Sequence, residues 1–183
     1  MPDALYLTDE PEACELLARD PFALLMGVAI DQQVPVQKAF AGPLVLQRRV
    51  GTLDPARLAA TDLEPAFREK PAIHRFPGSM AGRVRELAAV VADEYGDDAS
   101  RIWRDAVDAD DLRHRLEALP GFGPMKVTTL ASILAKRFDV AVAEPLVPGH
   151  PTLGDVDSPQ ALLDYQAAKR AHKAAIRASG GRG

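Results

Sequence analysis

Residues Leu112–Phe138 read LRHRLEALPGFGPMKVTTLASILAKRF. Leu112, Leu116 and Leu119, then Val127, Leu130, Ile133, Leu134 and Phe138, recur at the three- and four-residue spacing of a single helix face. The stretch therefore predicts two amphipathic helices joined by Leu119-Pro120-Gly121-Phe122-Gly123-Pro124. Gly121 and Gly123 permit positive φ and let the backbone approach a partner with no Cβ in the way. Pro124 sets φ for the first turn of the second helix. That turn directs unpaired N–H groups outward at the positive end of the helix dipole. A phosphate fits there, with Lys126 and Thr128 as further donors. The competing reading is a helical hairpin whose glycines serve only the sharp turn.

Helix signals continue on both sides of this stretch. Asp20-Pro21 is an N-cap followed by proline at the first helical position, and it opens the apolar run Phe22–Ile30. The pattern continues through Gln37, Lys38, Ala39 and Phe40, and this length favours a helix buried on nearly all sides over a buried strand. Asp54-Pro55 repeats the start signal. Ser79 is the expected cap of a helix that ends at Gly96, with Met80, Val84, Leu87, Val90, Val91 and Tyr95 as its inner stripe. Asp110 or Asp111 opens the helix before the turn. Ser158-Pro159 starts the last helix, which decays into the tail SGGRG. Residues 140–156 hold three prolines and two glycines and are expected to be irregular. No strand alternation, repeat or domain boundary interrupts the series, so a single all-α domain over residues 1–183 is expected.

Composition narrows the functional classes. With 47% hydrophobic and 26% charged residues, the 183-residue chain has the balance of an ordinary globular protein rather than a disordered one. The longest apolar run, Phe22–Ile30, is far short of the ~20 residues of a membrane span. The opening MPDALYLTDEPEACELL lacks the basic and apolar regions of a secretory signal, so a cytoplasmic protein is expected, with no membrane partner. The lone Cys14 excludes an intrachain disulfide, a cysteine-rich zinc site and a cysteine-ligated iron–sulfur cluster. In the apparent helix ACELLAR it reads as a small buried hydrophobe. His74, His114, His150 and His172 show no metal-ligand spacing, so neither metal nor cofactor is expected. The net charge of −4 is unevenly spread: Leu112–Arg137 carries +4, and Ser158–Gly183, through Lys169, Arg170, Lys173, Arg177 and Arg182 against Asp164, carries another +4. Two basic stretches on an acidic body suit a local anionic partner, or else two solvated helix faces.

LPGFGPMK between two such helices, at about 111–138, resembles the helix-hairpin-helix DNA-binding motif, which holds the DNA backbone without reading sequence. Leu24–Phe40, LLMGVAIDQQVPVQKAF, looks like the buried helix and glutamine-bearing loop of the helix-hairpin-helix–GPD superfamily of base-excision DNA glycosylases. Ile73–Ala81, IHRFPGSMA, resembles that family's segment before the hairpin. The three pieces lie in family order and span about Pro21–Phe138. The resemblance is to a divergent branch without the family's cysteine cluster.

Such enzymes extrude a damaged nucleotide and cut its N-glycosidic bond. By resemblance Gln32, with Gln33 as the second choice, fills the vacated space, where an amide can engage the orphaned base as donor and acceptor. The alternative for both is polar capping at the end of a buried helix. The family's catalytic aspartate lies roughly 18 residues beyond the first helical position after the hairpin. That count from Met125 reaches Ala143, making the adjacent Glu144 one candidate, whose competing reading is an exposed loop residue. Asp31 is the second candidate, beside an apolar helix whose burial can raise its pKa. Met125 aligns with the Schiff-base lysine of bifunctional members. Lys126 is one place on, turned by about 100°, and is expected to point elsewhere. Phe76, in a loop with His74 and Arg75, is the aromatic best placed to meet a flipped base, against the alternative of a packed loop. The basic C-terminal helix and tail, about 158–183, either track phosphates or are solvated. The resemblance implies a monomeric, monofunctional N-glycosylase on double-stranded DNA. The rival functions are a DNA-binding protein that recognises bent or damaged duplex without chemistry, and a helical protein-interaction domain.

Overall fold

The computed structural model describes residues 1–180; Gly181–Gly183, including Arg182 of the basic tail, lie outside the described residues. Among these the regular elements are all helical: α1 (Pro11–Arg19), α2 (Pro21–Ile30), α3 (Val36–Val50), α4 (Pro55–Ala59), α5 (Glu64–Arg68), α6 (Pro77–Tyr95), α7 (Arg101–Arg104), α8 (Ala109–Glu117), α9 (Pro124–Phe138) and α10 (Pro159–Ala178), with 3₁₀ turns at Ala141–Leu146 and Leu153–Asp155. No helix among the described residues is long and apolar enough to cross a membrane.

The architecture is built around α2. Asp20 caps it by accepting from the N–H groups of Phe22 and Ala23 (2.9 and 3.1 Å), and every residue from Phe22 to Ile30 is buried. A helix apolar on all sides needs neighbours all round, and α2 has them in α1, α3, α6 and α9. Gly27 lets α3 come close: a Cβ there would lie 2.6 Å from the Phe40 ring. The apolar pattern does not continue as one helix. Asp31 leaves helical geometry at ψ 71, Gln33 sits at φ 57, and Pro35 precedes a separate α3. A period-3.6 pattern is blind to a five-residue break that keeps both helices on the same core.

Two expected starts move. Phe76, not Ser79, is the N-cap of α6; Pro77 takes the first position and the Met80 N–H bonds to the Phe76 carbonyl. Gly96 ends that helix at φ 60, as expected. Asp108, rather than Asp110 or Asp111, caps α8, accepting from the Asp111 N–H at 2.8 Å. Any of three nearby aspartates satisfies the local rule, and the packing of Leu112 and Leu116 selects one. Ser158 caps α10 through the Ala161 N–H, where the sequence puts it.

Residues 140–156, expected to be irregular, form the two 3₁₀ turns and pack on α9. Thr152 and Asp155 close a capping box. Gly154 lies so close to the Ser132 carbonyl that a side chain there would collide with backbone. Cys14 is buried, its thiol against the Thr8 carbonyl, and burial pushes it above the ordinary thiol range. Side chains from Leu5 to Leu162 join one continuous hydrophobic core.

Candidate functional site

The chain between α8 and α9 turns on buried anchors. Leu119 and Phe122 point into the core, and the Phe122 N–H bonds to the Leu119 carbonyl at 3.1 Å. Gly121 and Gly123 are left exposed on either side of Phe122. Only Gly121 has a positive φ, 76°; Gly123 stands at −83° as the N-cap of α9. A Cβ at Gly121 would also meet the Arg83 guanidinium, which would have to swing aside. Gly123 has nothing within 4 Å of its missing Cβ, so its backbone is open to a partner. Pro124 begins α9, and Met125 is 80% exposed. Thr128 is half-buried one turn on, its carbonyl accepting from Ser132 Oγ at 2.7 Å.

Lys126 does not point away from the Asp31–Gln33 corner. Its Nζ donates to the Ala29 carbonyl at 2.8 Å and to Gln32 Oε1 at 3.2 Å. The long arm spans from α9 to the C-terminus of α2, where unpaired carbonyls attract a cation. Burial pulls this ammonium below the ordinary lysine range, and Arg83 adds to the effect while Asp31 opposes it. Asp31 shows the converse. Burial pushes its carboxyl above the usual range, and Lys169 and Lys126 pull it only part of the way back. Tyr165, raised by burial and then by Asp31 and Asp155, completes this neighbourhood.

On the other side of the corner, buried His74 joins two segments. Its Nε2 meets the Gln32 carbonyl at 2.8 Å, and its Nδ1 accepts from the Phe76 N–H at 3.0 Å. Both bonds together require the neutral ring with its proton on Nε2. Between the corner and the start of α6 lies a cavity of about 140 Å³, lined by Gln32, Gln33, His74, Phe76, Ser79, Met80 and Arg83. Gln32 and Gln33 are exposed. Phe76 is 47% exposed, and the Arg75 guanidinium lies over its ring at 4.9 Å. It is not packed into its loop. Of the other aromatics, Phe122 is buried and Trp103 and Tyr95 are half-buried against the core.

The structure thus brings Asp31, Gln32, Gln33, Lys126 and the Gly121–Gly123 turn to one side of the molecule. Glu144 stands exposed in the first 3₁₀ turn, which packs on α8 and α9; among the described residues its side chain has no hydrogen bond or ion pair. Sequence reasoning missed Arg83, whose place over Gly121 joins residues 38 positions apart on elements with no shared pattern. It also missed Tyr165 and Gln166 of α10. Tyr165, three residues after the buried Leu162, was the available signal.

A larger cavity of about 320 Å³ lies elsewhere, lined by Asp20, Asp54, Asp97 and Asp98 among others. Its carboxylates already accept backbone N–H groups: Asp54 from Arg57, Asp97 from Ala56 and Asp98 from Ser100. This wall repels an anion. Among the described residues no group of three or more His, Cys, Asp or Glu side chains is placed to hold a metal. Compared with protein-family models, with curated proteins and with solved structures, the chain matches none.

Proposed function

We propose that the protein is a monofunctional DNA N-glycosylase of the helix-hairpin-helix kind, which binds damaged duplex DNA and hydrolyses the bond between a base and its sugar. The observation that carries this reading is Lys126. From the first turn of α9 it reaches both the backbone and the side chain of the Ala29–Gln32 segment, so that the phosphate-binding turn and the glutamine corner form one unit.

On this reading the open backbone of Gly123 and the first N–H groups of α9 hold a DNA phosphate. Gln32, exposed beside the cavity, enters the stack as the nucleotide leaves it, with Gln33 next to it. Unstacking costs a few kcal/mol, least at a damaged or mismatched pair. Asp31 supplies the carboxylate. As the base departs, positive charge develops on the sugar, and a carboxylate within a half-buried site stabilises it more strongly than one in water. A carboxylate raised above its usual range is also the stronger base toward the attacking water. Glu144, exposed and bonded to none of these groups, is the weaker candidate for this role. Lys126 is engaged by two acceptors, which favours hydrolysis over attack by its amine on the sugar.

The test is single-turnover base release from duplexes carrying alkylated purine, uracil, oxidised purine or mismatched bases, with and without alkaline workup. Alkali-dependent strand cleavage that falls about 10²–10⁴-fold in D31N and persists in E144Q is the expected result. Cleavage without alkali would assign the chemistry to an amine. Silence across the panel with duplex binding intact would favour the second reading, a binding protein for bent or damaged duplex, whose support is the same exposed, unpartnered Glu144.

A further inference from the structure

The base of α10 is docked and the rest of it is not. Leu162 is buried, Tyr165 is half-buried, and Gln166 exchanges two hydrogen bonds with Gln37 of α3 (2.7 and 2.8 Å). From Ala167 to Gly180 every residue is exposed. A helical segment without packing normally owes its persistence to propensity, and this one holds Ala167, Ala168, Ala171, Ala174, Ala175 and Ala178.

The cations are not scattered among these alanines. At about 100° per residue, Lys169, Arg170, Lys173 and Arg177 fall within one arc of roughly 100°, and Leu162 and Gln166 lie in the same arc. All six of these alanines lie outside that arc, toward the opposite side. The basic stripe therefore continues the docked face of the helix past the edge of the body, on the side where Gln37 and Asp31 stand. Lys169, at the junction, has its Nζ 5.9 Å from the centre of the Tyr165 ring. Among the described residues none of the four cations has a carboxylate partner. A solvated helix face usually mixes both signs at i, i+4 spacing; this one does not.

We propose that Lys169, Arg170, Lys173 and Arg177 form a second DNA-binding surface, which holds the phosphate backbone of the same duplex that meets Gln32. This inference rests on the reading of the Asp31–Gln33 corner as the DNA-facing side. Duplex DNA is the partner that fits: the stripe is a row of single-sign charge next to that corner. An anionic membrane requires bulky apolar residues in a row along the other side of the helix; alanine supplies almost no surface there, and the exposed Leu163 and Ile176 stand thirteen residues apart on opposite flanks of the stripe.

The experiment measures duplex affinity by fluorescence anisotropy across a series of KCl concentrations, for the full chain and for R170Q/K173Q/R177Q. Lys169 is left in place because it adjoins Asp31. Glutamine preserves helix propensity, and circular dichroism checks that the helix persists. Every phosphate that a variant no longer neutralises makes the slope of log K against log[salt] shallower by about 0.9, so a change of up to ~2.7 is expected with the melting temperature unchanged. K173Q alone, a milder change to the helix, is expected to make it shallower by about 0.9. R170K/R177K, which keeps the charge, is expected to keep the slope. A salt-dependent wild type with unaltered slopes in both glutamine variants would overturn the stripe and leave the proposed glycosylase standing. A wild type that binds no duplex at any salt concentration would overturn both.

Discussion

Asp31 is a carboxyl held where burial opposes its charge more than two nearby lysines support it. Its folded-state pKa lies above the unfolded value, so the folded chain binds this proton the more tightly. Stability therefore falls as pH rises from the unfolded value through the folded one. D31N is expected to raise the melting temperature at pH 7, and this gain should vanish below the ordinary aspartate range. Paired melting curves across pH check it; a D31N protein no more stable at pH 7 would remove the argument that function retains a destabilising charge. His74 acts differently, as a clasp between the Gln32 carbonyl and the Phe76 N–H. H74F keeps the ring-sized volume but leaves both backbone groups without a partner, and is expected to cost about 1–3 kcal/mol in denaturant unfolding. A stability equal to wild type would mean that the corner holds its shape without the imidazole.

At the scale of elements, the α8–α9 turn separates folding from binding at two glycines. Gly121 combines φ 76 with the Arg83 guanidinium overhead, so G121V forces both a strained backbone and a displaced arginine. It should lose stability and duplex binding together. Gly123 has an ordinary φ of −83 and open space where a Cβ would go. On the proposed reading, G123A should unfold within about 0.5 kcal/mol of wild type yet bind duplex more weakly, because the methyl group would intrude between the backbone and the phosphate proposed to sit there. Denaturation and anisotropy on the same samples decide this; unchanged binding would take the phosphate away from Gly123. Far from the turn, Gly154 is held by packing. G154A is expected to destabilise by about 1–3 kcal/mol, since the Ser132 carbonyl it meets belongs to α9 and cannot swing aside. The sequence offers no sign of this close approach, which depends on how the second 3₁₀ turn lies against a helix already complete.

For the whole molecule, one core from Leu5 to Leu162 predicts one cooperative transition. Amide exchange should then grade outward from it. The amides of α2, enclosed on every side, should open only with global unfolding, while those of α10 beyond Gln166 should exchange first. Equal protection along α10 would show that its second half is packed in solution. The helical class, the caps at Asp20, Asp54 and Ser158, the stop at Gly96 and the positive φ at Gly121 could all be read along the chain. Each depends on a residue and its neighbours within a turn or two. The break after Ile30 and the cap at Asp108 could not, because there several local solutions are equivalent and packing chooses between them.

The same division runs through the site. Apolar periodicity and turn chemistry are local properties, so the chain read residue by residue is enough to put the glycine turn between two amphipathic helices, whereas the exposed place of Gln32 and Gln33 follows from the break after Ile30 that packing decides. Nothing short of the folded arrangement brings Lys126 to Gln32 across 94 positions, sets Arg83 over Gly121, or gives Asp31 rather than Glu144 a half-buried space shared with two cations. Burial and charge depend on what lies around a group in three dimensions, and side chains meet there without leaving any period in the chain that carries them.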